Sequence, residues 1–318
     1  MFRLFSPLAL GPLTVRNRIV SAPPSLGLAA SGGFSTPALC QRYGEWAAGG
    51  VGLLLTEPLA VSPSPPEGMA GLYDDTLIAE LARVVTAAAP TPVLALLSAP
   101  AAPLMELQSM PLEPIQEQFA LAAWRARAAG CQGVMVDGGD DTLLGQLCSP
   151  RTNVRVDEYG GTQRTRLACD IVEAIRRWLG PDLVIGARLV VDELRPDGIT
   201  LNESRVSAHQ LVSAGANLLD VVVGGHPTQP IAQFPGWQFP LVAAIRSLVD
   251  VPVIAHGSMG DAEAAEHALN EGSADLIALA APLLENPAWP QQALERLQNP
   301  PPLVDAVRPT RSMLPSAL

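Results

Sequence analysis

The sequence predicts an α/β fold, a single (β/α)8 TIM barrel with an N-terminal β-hairpin. Two observations lead to this fold class. The length of 318 residues is ordinary for one barrel of this type, and short apolar runs alternate with amphipathic stretches along the whole chain. Because no repeat larger than the β/α unit is present, residues 1–299 are predicted to form one barrel domain, and residues 300–318 a Pro-rich C-terminal tail.

Eight short apolar runs predict the barrel strands, because each has the length of a buried parallel strand. They are Arg18–Ala22, Val51–Thr56, Pro92–Leu97, Gly133–Val136, Val184–Leu189, Leu218–Val223, Pro252–Ala255 and Leu276–Leu279. Stretches rich in Ala and Leu at helical spacing lie between them: Thr76–Ala89, Glu113–Ala129, Thr162–Leu179, Leu201–Ala214 and Ala262–Gly272. Before the first strand, Leu4–Val15 carries Gly11 and Pro12, which predict a hairpin that covers the barrel floor.

The composition excludes several classes of function. The net charge is −11 and no Arg-rich run occurs, which argues against nucleic acid or an anionic membrane as partner. All 20 basic residues are Arg, so neither a Schiff-base lysine nor a P-loop lysine exists. The four cysteines form no CxxC pair, and no run approaches 18 apolar residues. We therefore expect a cytoplasmic protein that acts on a small molecule, and the possibility that it forms a homo-oligomer stays open.

Polar residues follow the predicted strands, where the working residues of such barrels lie. They are Ser25, Glu57, Asp137, Asp140, Arg188, Asp192, His226 and His256. Asp137 and Asp140 flank a Gly-Gly turn, and two nearby carboxylates can divide the roles of general acid and base. A structural alternative stays open, in which Asp140 or Asp141 caps a short helix over Thr142–Leu147.

Arg188 lies in an apolar strand and must therefore find an anion. That anion is either a side chain, Glu57 or Asp137, or a carboxylate or enolate of a substrate. His226 and His256 are each predicted either as a general acid or base or as a structural histidine. A metal site built from these carboxylates and His226 would match no recognised ligand spacing, so no metal is expected.

One segment carries a family signature. Asn153, Arg155, the run Asp157–Thr162, Arg164 and Arg166 resemble the signature of the Old Yellow Enzyme family of NAD(P)H:flavin oxidoreductases. The resemblance extends over essentially the whole chain and implies a flavin barrel. It implies that FMN would contact Pro23, Pro24, Arg188 and Gly257. The substrate pocket would then include Ser25, Glu57, Thr142 and His256.

The chain departs from the family pattern at five contact positions. The family places Gln where this chain has Leu96, and Gly-Arg where it has Ala280 and Ala281. The family's substrate-binding His/Asn pair corresponds to Asp137 and Asp140, and its Tyr corresponds to Thr142. Because charge-assisted hydrogen bonds contribute roughly 1.5–3 kcal/mol each, loss of these contacts predicts FMN binding weakened by about two to four orders of magnitude.

The sequence therefore favours a divergent biosynthetic enzyme with a degenerate FMN site and no tightly bound cofactor. Its expected reaction is isomerisation, dehydration or cyclisation of a small conjugated carbonyl compound. Asp137 and Asp140 would act as acid and base, while Arg188 or His226 would stabilise an enolate. Two alternatives stay open: an FMN-dependent NAD(P)H ene reductase with substituted contacts, and a non-catalytic relative.

Overall fold

The computed structural model describes residues 1–63, 65–224, 234–257 and 260–300. It contains a closed barrel of eight parallel strands surrounded by helices, which confirms the predicted fold class. The hairpin strands are β1 Leu8–Leu10 and β2 Leu13–Val15; the others are β3 Ile19–Ser21, β4 Leu53–Leu55, β5 Leu59–Ala60, β6 Val93–Ser98, β7 Gly133–Gly138, β8 Val184–Val190, β9 Leu218–Val222, β10 Val253–Ala255 and β11 Leu276–Leu279. The barrel closes where β11 pairs with β3, and the short strand β5 adds to the edge of β6.

The helices cover the outside of the barrel. They are α1 Pro37–Gly49, α2 Leu77–Ala88, α3 Leu104–Leu107, α4 Glu113–Ala128, α5 Leu143–Cys148, α6 Arg166–Leu179, α7 Leu201–Ser213, α8 Phe239–Arg246, α9 Ala262–Asn270, α10 Ala281–Glu285 and α11 Trp289–Gln298. The five predicted helices correspond to α2, α4, α6, α7 and α9. The first turn predicted for α6 is a separate 3-10 turn, Gly161–Gln163. No helix among the described residues is long and apolar enough to cross a membrane.

Alternate residues of each strand point to opposite faces of the barrel wall. Leu96 of β6 and Met135 of β7 belong to an apolar cluster that fills the barrel interior. Val134 and Val136 of β7 belong to a second cluster, which packs against the helices. A residue two positions after an interior residue therefore lies further up the same interior face. This alternation carries the polar residues near the carboxyl ends of β7 to β10 into the mouth of the barrel.

The N-terminal hairpin closes the floor, as predicted. Its strands pair antiparallel around a turn at Gly11, where φ is +59°. Leu10 and Val15 are fully buried in the same apolar cluster as the interior strand residues. The barrel therefore opens at the carboxyl end of its strands.

The signature segment forms a scaffold for the loop after α5. The side-chain amide of Asn153 donates hydrogen bonds to the carbonyls of Leu147 and Tyr159. Arg155 binds Asp157 and also donates to the carbonyl oxygen of Leu107. These bonds tie neighbouring loops together, so the described contacts of Asn153 and Arg155 are structural.

Candidate active site at the barrel mouth

Four charged or titratable side chains form one connected row across β7 to β10. Arg188 Nε donates to Asp220 Oδ2 at 2.8 Å, and Arg188 Nη1 lies 3.6 Å from Asp137 Oδ1. His256 Nε2 lies 2.7 Å from Asp220 Oδ1. The strand register produces this row, because Asp137 pairs with Arg188 and Arg188 pairs with Asp220 across neighbouring strands. We call Asp137, Arg188, Asp220 and His256 the mouth row.

Asp220 was missed by the sequence reasoning, although it is the centre of the mouth row. It lies in the apolar run Leu218–Val223, where a single aspartate at an interior position was the available signal. Its side chain is fully buried. Burial alone would raise the pKa of Asp220, but Arg188 and His256 outweigh burial and lower it. Asp220 is therefore an ionised carboxylate inside the barrel.

Arg188 finds its anion among the protein side chains. Its partners are Asp137, as one alternative proposed, and Asp220; Glu57 is not a partner. Burial lowers the pKa of Arg188, but the charges of Asp220 and then Asp137 more than offset this, so the net shift is upward. The side chain keeps 13% exposure, and its Nη2 has no acceptor among the residues that the structure describes. The guanidinium can therefore also bind a ligand at the mouth.

Asp137 and Asp140 have different surroundings. Asp137 is buried, and its Oδ1 accepts a hydrogen bond from the backbone of Gly139 at 3.2 Å in addition to its contact with Arg188. Asp140 belongs to an exposed residue pair at the turn, and its carboxylate lies against Gly224. A Cβ added to Gly224 would come within 2.2 Å of Asp140 Oδ1, so a larger residue at position 224 would displace the Asp140 carboxylate. The structure thus places Asp137 in the mouth row and Asp140 above the end of β9.

The cap of α5 is Thr142, not Asp140 or Asp141. Thr142 Oγ1 accepts a hydrogen bond from the Gly145 backbone at 3.0 Å and donates to the Gly139 carbonyl at 2.7 Å. A threonine at this position satisfies a free N–H of the first helical turn. The predicted capping role of the aspartates is therefore wrong, and the hydroxyl of Thr142 is already engaged within the protein.

Glu57 is buried behind the loop that carries Pro23, Pro24 and Ser25. Its Oε2 accepts a hydrogen bond from the Leu26 backbone at 2.7 Å, while Oε1 is buried with no partner among the described residues. An adjoining cavity of about 20 Å³ has room for one water molecule. Burial raises the pKa of Glu57 to about 7, although the Leu26 N–H opposes this shift. Glu57 therefore anchors the loop.

The remaining predicted positions surround the mouth. Pro23 is buried, whereas Pro24 and Ser25 are exposed. Gly257 directly follows His256 and has φ +91°, a conformation that favours glycine. His226 lies outside the described residues. Among the described residues, no group of three or more His, Cys, Asp or Glu side chains could hold a metal ion.

A substitution at Glu57 gives a pH-dependent prediction. Because the folded pKa is about 7 and the usual value is 4.5, the stability supplied by protonated Glu57 is complete below about pH 4.5. It is lost as the pH rises through about 7. Glu57→Gln should remove this loss, on the order of 3 kcal/mol, as measured by urea unfolding at pH 5 and pH 8. The exposed control Glu173→Gln should lose as much stability between pH 5 and pH 8 as the wild type. If Glu57→Gln lost that same amount, the raised pKa assigned to Glu57 would be refuted.

Comparisons with known proteins identify relatives across nearly the whole chain. The profile of the NADH:flavin oxidoreductase / NADH oxidase family matches residues 97–299. The chain is 34% identical to an NADH oxidase of Thermoanaerobacter brockii, over 93% of this chain and 51% of that protein. It is 30% identical to an NADPH dehydrogenase of Bacillus licheniformis, over 93% of this chain and 95% of that protein. The chain thus spans about half the length of the NADH oxidase.

Solved structures share the fold. A 2-naphthoyl-CoA reductase complex superposes with a TM-score of 0.83 at 21% identity, over 92% of this chain and 52% of that chain. Morphinone reductase superposes with a TM-score of 0.77 at 24% identity, over 95% of this chain and 92% of that chain. At these identities the likeness shows the barrel and no more.

The expectation of a non-redox isomerase, dehydratase or cyclase without tightly bound flavin is wrong. The matched family consists of flavin oxidoreductases, and the relatives are named NADH oxidase and NADPH dehydrogenase. The substitutions at Leu96 and Ala281 do not preclude flavin binding, because backbone N–H groups and other side chains also hold a phosphate-bearing cofactor. The chain belongs to the NADH:flavin oxidoreductase / NADH oxidase family.

Proposed function

We propose that this protein is an FMN-dependent oxidoreductase that transfers reducing equivalents from NADH or NADPH to a small-molecule acceptor. The family match and the names of the relatives support the reaction class. The observation that carries the proposal is the position of Arg188. It is a charged side chain at the mouth of the barrel, held by two carboxylates, with one nitrogen left for a ligand.

Two features of the described residues fit a flavin mononucleotide. Arg188 offers a guanidinium nitrogen to a polar ring edge. Beside Gly257, the Gln238 side-chain oxygen is buried with no partner among the described residues, and a Cβ on Gly257 would come within 3.0 Å of that side chain. The bare backbone at Gly257 would let a phosphate approach the backbone N–H groups there, whereas the unpaired Gln238 oxygen is an acceptor and would face a donor group of the cofactor. Pro23 and Pro24 would line the ring.

Leu96 and Ala281 would contribute differently from the family pattern. Leu96 is fully buried in the interior cluster and supplies no polar group to the ring. Ala281 is exposed at the start of α10 and supplies no cation. The phosphate would therefore depend on backbone N–H groups and neutral side chains. Bound FMN would supply hydride transfer, which none of the twenty amino acid side chains provides.

The residues of the chain would bind and orient the substrate. We propose that Arg188 stabilises negative charge on the acceptor, because a preorganised cation in a water-poor site is effective there. Asp137 and Asp220 would position Arg188, and Asp137 would in addition lie beside the substrate. His256 donates from Nε2 to Asp220, so its other nitrogen would accept a hydrogen bond from the substrate in the neutral ring and supply a proton only when the ring is protonated.

The other predicted positions would shape the pocket. Ser25 would face the substrate from the loop that Glu57 anchors. Asp140 and the capping residue Thr142 would border the pocket above β7. We propose His226 as a further proton donor on sequence grounds alone. The absence of disulfides among the four cysteines supports a reducing, cytoplasmic location.

Cofactor analysis of the purified protein tests this proposal. We expect a yellow preparation whose released cofactor has the mass of FMN, and which oxidises NADH or NADPH when an electron acceptor is supplied. A preparation stripped of cofactor should regain activity with FMN and not with riboflavin, because the backbone at Gly257 would bind the phosphate. A protein that neither retains nor rebinds FMN, and that oxidises neither nicotinamide, would overturn the proposal.

A further inference from the structure

A second cavity lies outside the barrel, between α6, α7 and the outer faces of β7 and β8. Its volume is about 420 Å³, within the range of small-molecule sites. Its strand wall includes Val136, Ala187 and Leu189. These residues alternate along the strands with Asp137 and Arg188, whose side chains point into the barrel. Arg188 also borders the cavity, so the cavity lies directly behind the mouth row.

Small side chains create the cavity. Ala168 of α6 and Ala187 of β8 line it where larger apolar residues would fill the space between helix and sheet. The interior of a protein is normally packed to crystal density, and an unfilled cavity loses contact energy. A ligand with an apolar surface would restore those contacts.

The charges at the rim are already neutralised. Arg164 forms an ion pair with Glu203, which joins the loop before α6 to α7. The hydroxyls of Thr165 and Ser207 share a hydrogen bond of 2.7 Å between the two helices. A charged ligand would find no unpaired opposite charge among these groups, and Arg188, which also borders the cavity, is paired with Asp137 and Asp220. It would also lose its hydration on entry, which is costly.

One polar group at the rim remains available. Gln210 of α7 lines the cavity, and its side-chain amide has no partner within the described part of the chain. An amide can both donate and accept a hydrogen bond. A ligand with one N–H, hydroxyl or carbonyl group could therefore be oriented by Gln210, while its apolar part lies against the alanines and leucines.

We propose that this cavity is a binding site for an uncharged, mostly apolar small molecule that carries one hydrogen-bonding group. The site lies behind the proposed FMN and substrate site and shares Arg188 with it. Its apolar walls provide the binding energy, the neutral rim selects against ions, and Gln210 sets the orientation. No part of this inference depends on the reaction that the barrel catalyses.

Calorimetric titration with indole tests the site, because indole is uncharged, apolar and has one N–H donor. We expect a dissociation constant below about 1 mM for wild type. Indole-3-acetate and tryptamine, the anionic and cationic analogues, should each bind at least tenfold more weakly. Equal binding of a charged analogue would contradict the neutral-rim argument and overturn the assigned ligand class.

Cavity-filling variants locate the bound indole. Ala168→Leu should weaken indole binding at least tenfold and leave NAD(P)H oxidation unchanged, whereas Ala174→Leu on the same helix, which does not line the cavity, should bind as wild type. If Ala168→Leu does not fold, Val206→Trp at the opening serves in its place. Full indole binding in the cavity-filling variant would place the ligand elsewhere and overturn the proposal, as would no binding to wild type.

Discussion

Arg188→Leu is expected to lower the free energy of unfolding by about 3–5 kcal/mol, the cost of leaving a buried charge without its partner. The substitution leaves Asp137 and Asp220 buried together with only His256 to offset their charges. Leucine has a similar volume to the arginine stem, so a cavity is not the cause. If the proposed function holds, NAD(P)H oxidation should also fall by about 10²–10³-fold. Urea unfolding and steady-state kinetics measure the two effects separately.

The matched control is Arg177→Leu, which removes an exposed arginine paired with Glu173 one helical turn away. Such surface pairs contribute little, so this variant should unfold like the wild type. The double variant Arg188→Leu with Asp220→Asn should recover part of the lost stability, because it removes one of the unpaired charges. Equal stability of Arg188→Leu and Arg177→Leu would show that the mouth row is not an essential ionic network.

Asp220→Asn is expected to have the second largest effect, a loss of about 3 kcal/mol at neutral pH. Asparagine keeps the shape of the side chain but removes the charge that pairs with Arg188 and His256. Asp137 remains, but its oxygen is 3.6 Å from the guanidinium, compared with 2.8 Å for Asp220. Asp137→Asn is therefore the matched comparison, and it should lower the free energy of unfolding by less than Asp220→Asn does.

The pH dependence of stability in the wild type and in Asp220→Asn tests whether the loss of stability is electrostatic. The pKa of Asp220 is lowered in the folded state. The stability that its carboxylate supplies is thus present above the usual pKa near 3.9 and is lost as the pH falls through the folded value. The difference in stability between wild type and Asp220→Asn should be constant above about pH 5 and shrink in stronger acid. A difference that persists undiminished in acid would indicate a packing effect instead of an ionic one.

The barrel strands were predictable because their signal is local. Each apolar run, such as Val184–Leu189, has the length of a buried strand and lies next to a helical pattern, and the observed β8 differs from it by one residue. Helices with a weak signal were missed. For example, α8 has eight residues and carries a proline in its first turn.

The candidate site was only partly predictable. Asp137, Arg188 and His256 were identified from their positions at strand ends, because carboxyl ends of parallel strands meet at one rim. Asp220 was overlooked inside an apolar run, although the two-residue period of β9 places it on the interior face with Leu218. The choice of cofactor failed for another reason. The predicted weakening of FMN binding depended on the side chains missing at Leu96 and Ala281. Backbone N–H groups can also hold a phosphate, and they cannot be recognised from residue identity.

The sequence by itself determined the barrel, its floor hairpin and the family, since apolar periodicity and the Asp157–Thr162 signature are properties of neighbouring residues. Only the tertiary structure decided which charges meet. Asp137, Arg188 and Asp220 are 51 and 32 positions apart along the chain, and the strand register alone brings them into one row. The same register puts Ala187 opposite α6 and leaves the outer cavity unfilled. Pairing across strands depends on the closure of the whole barrel, and no local stretch of sequence encodes it.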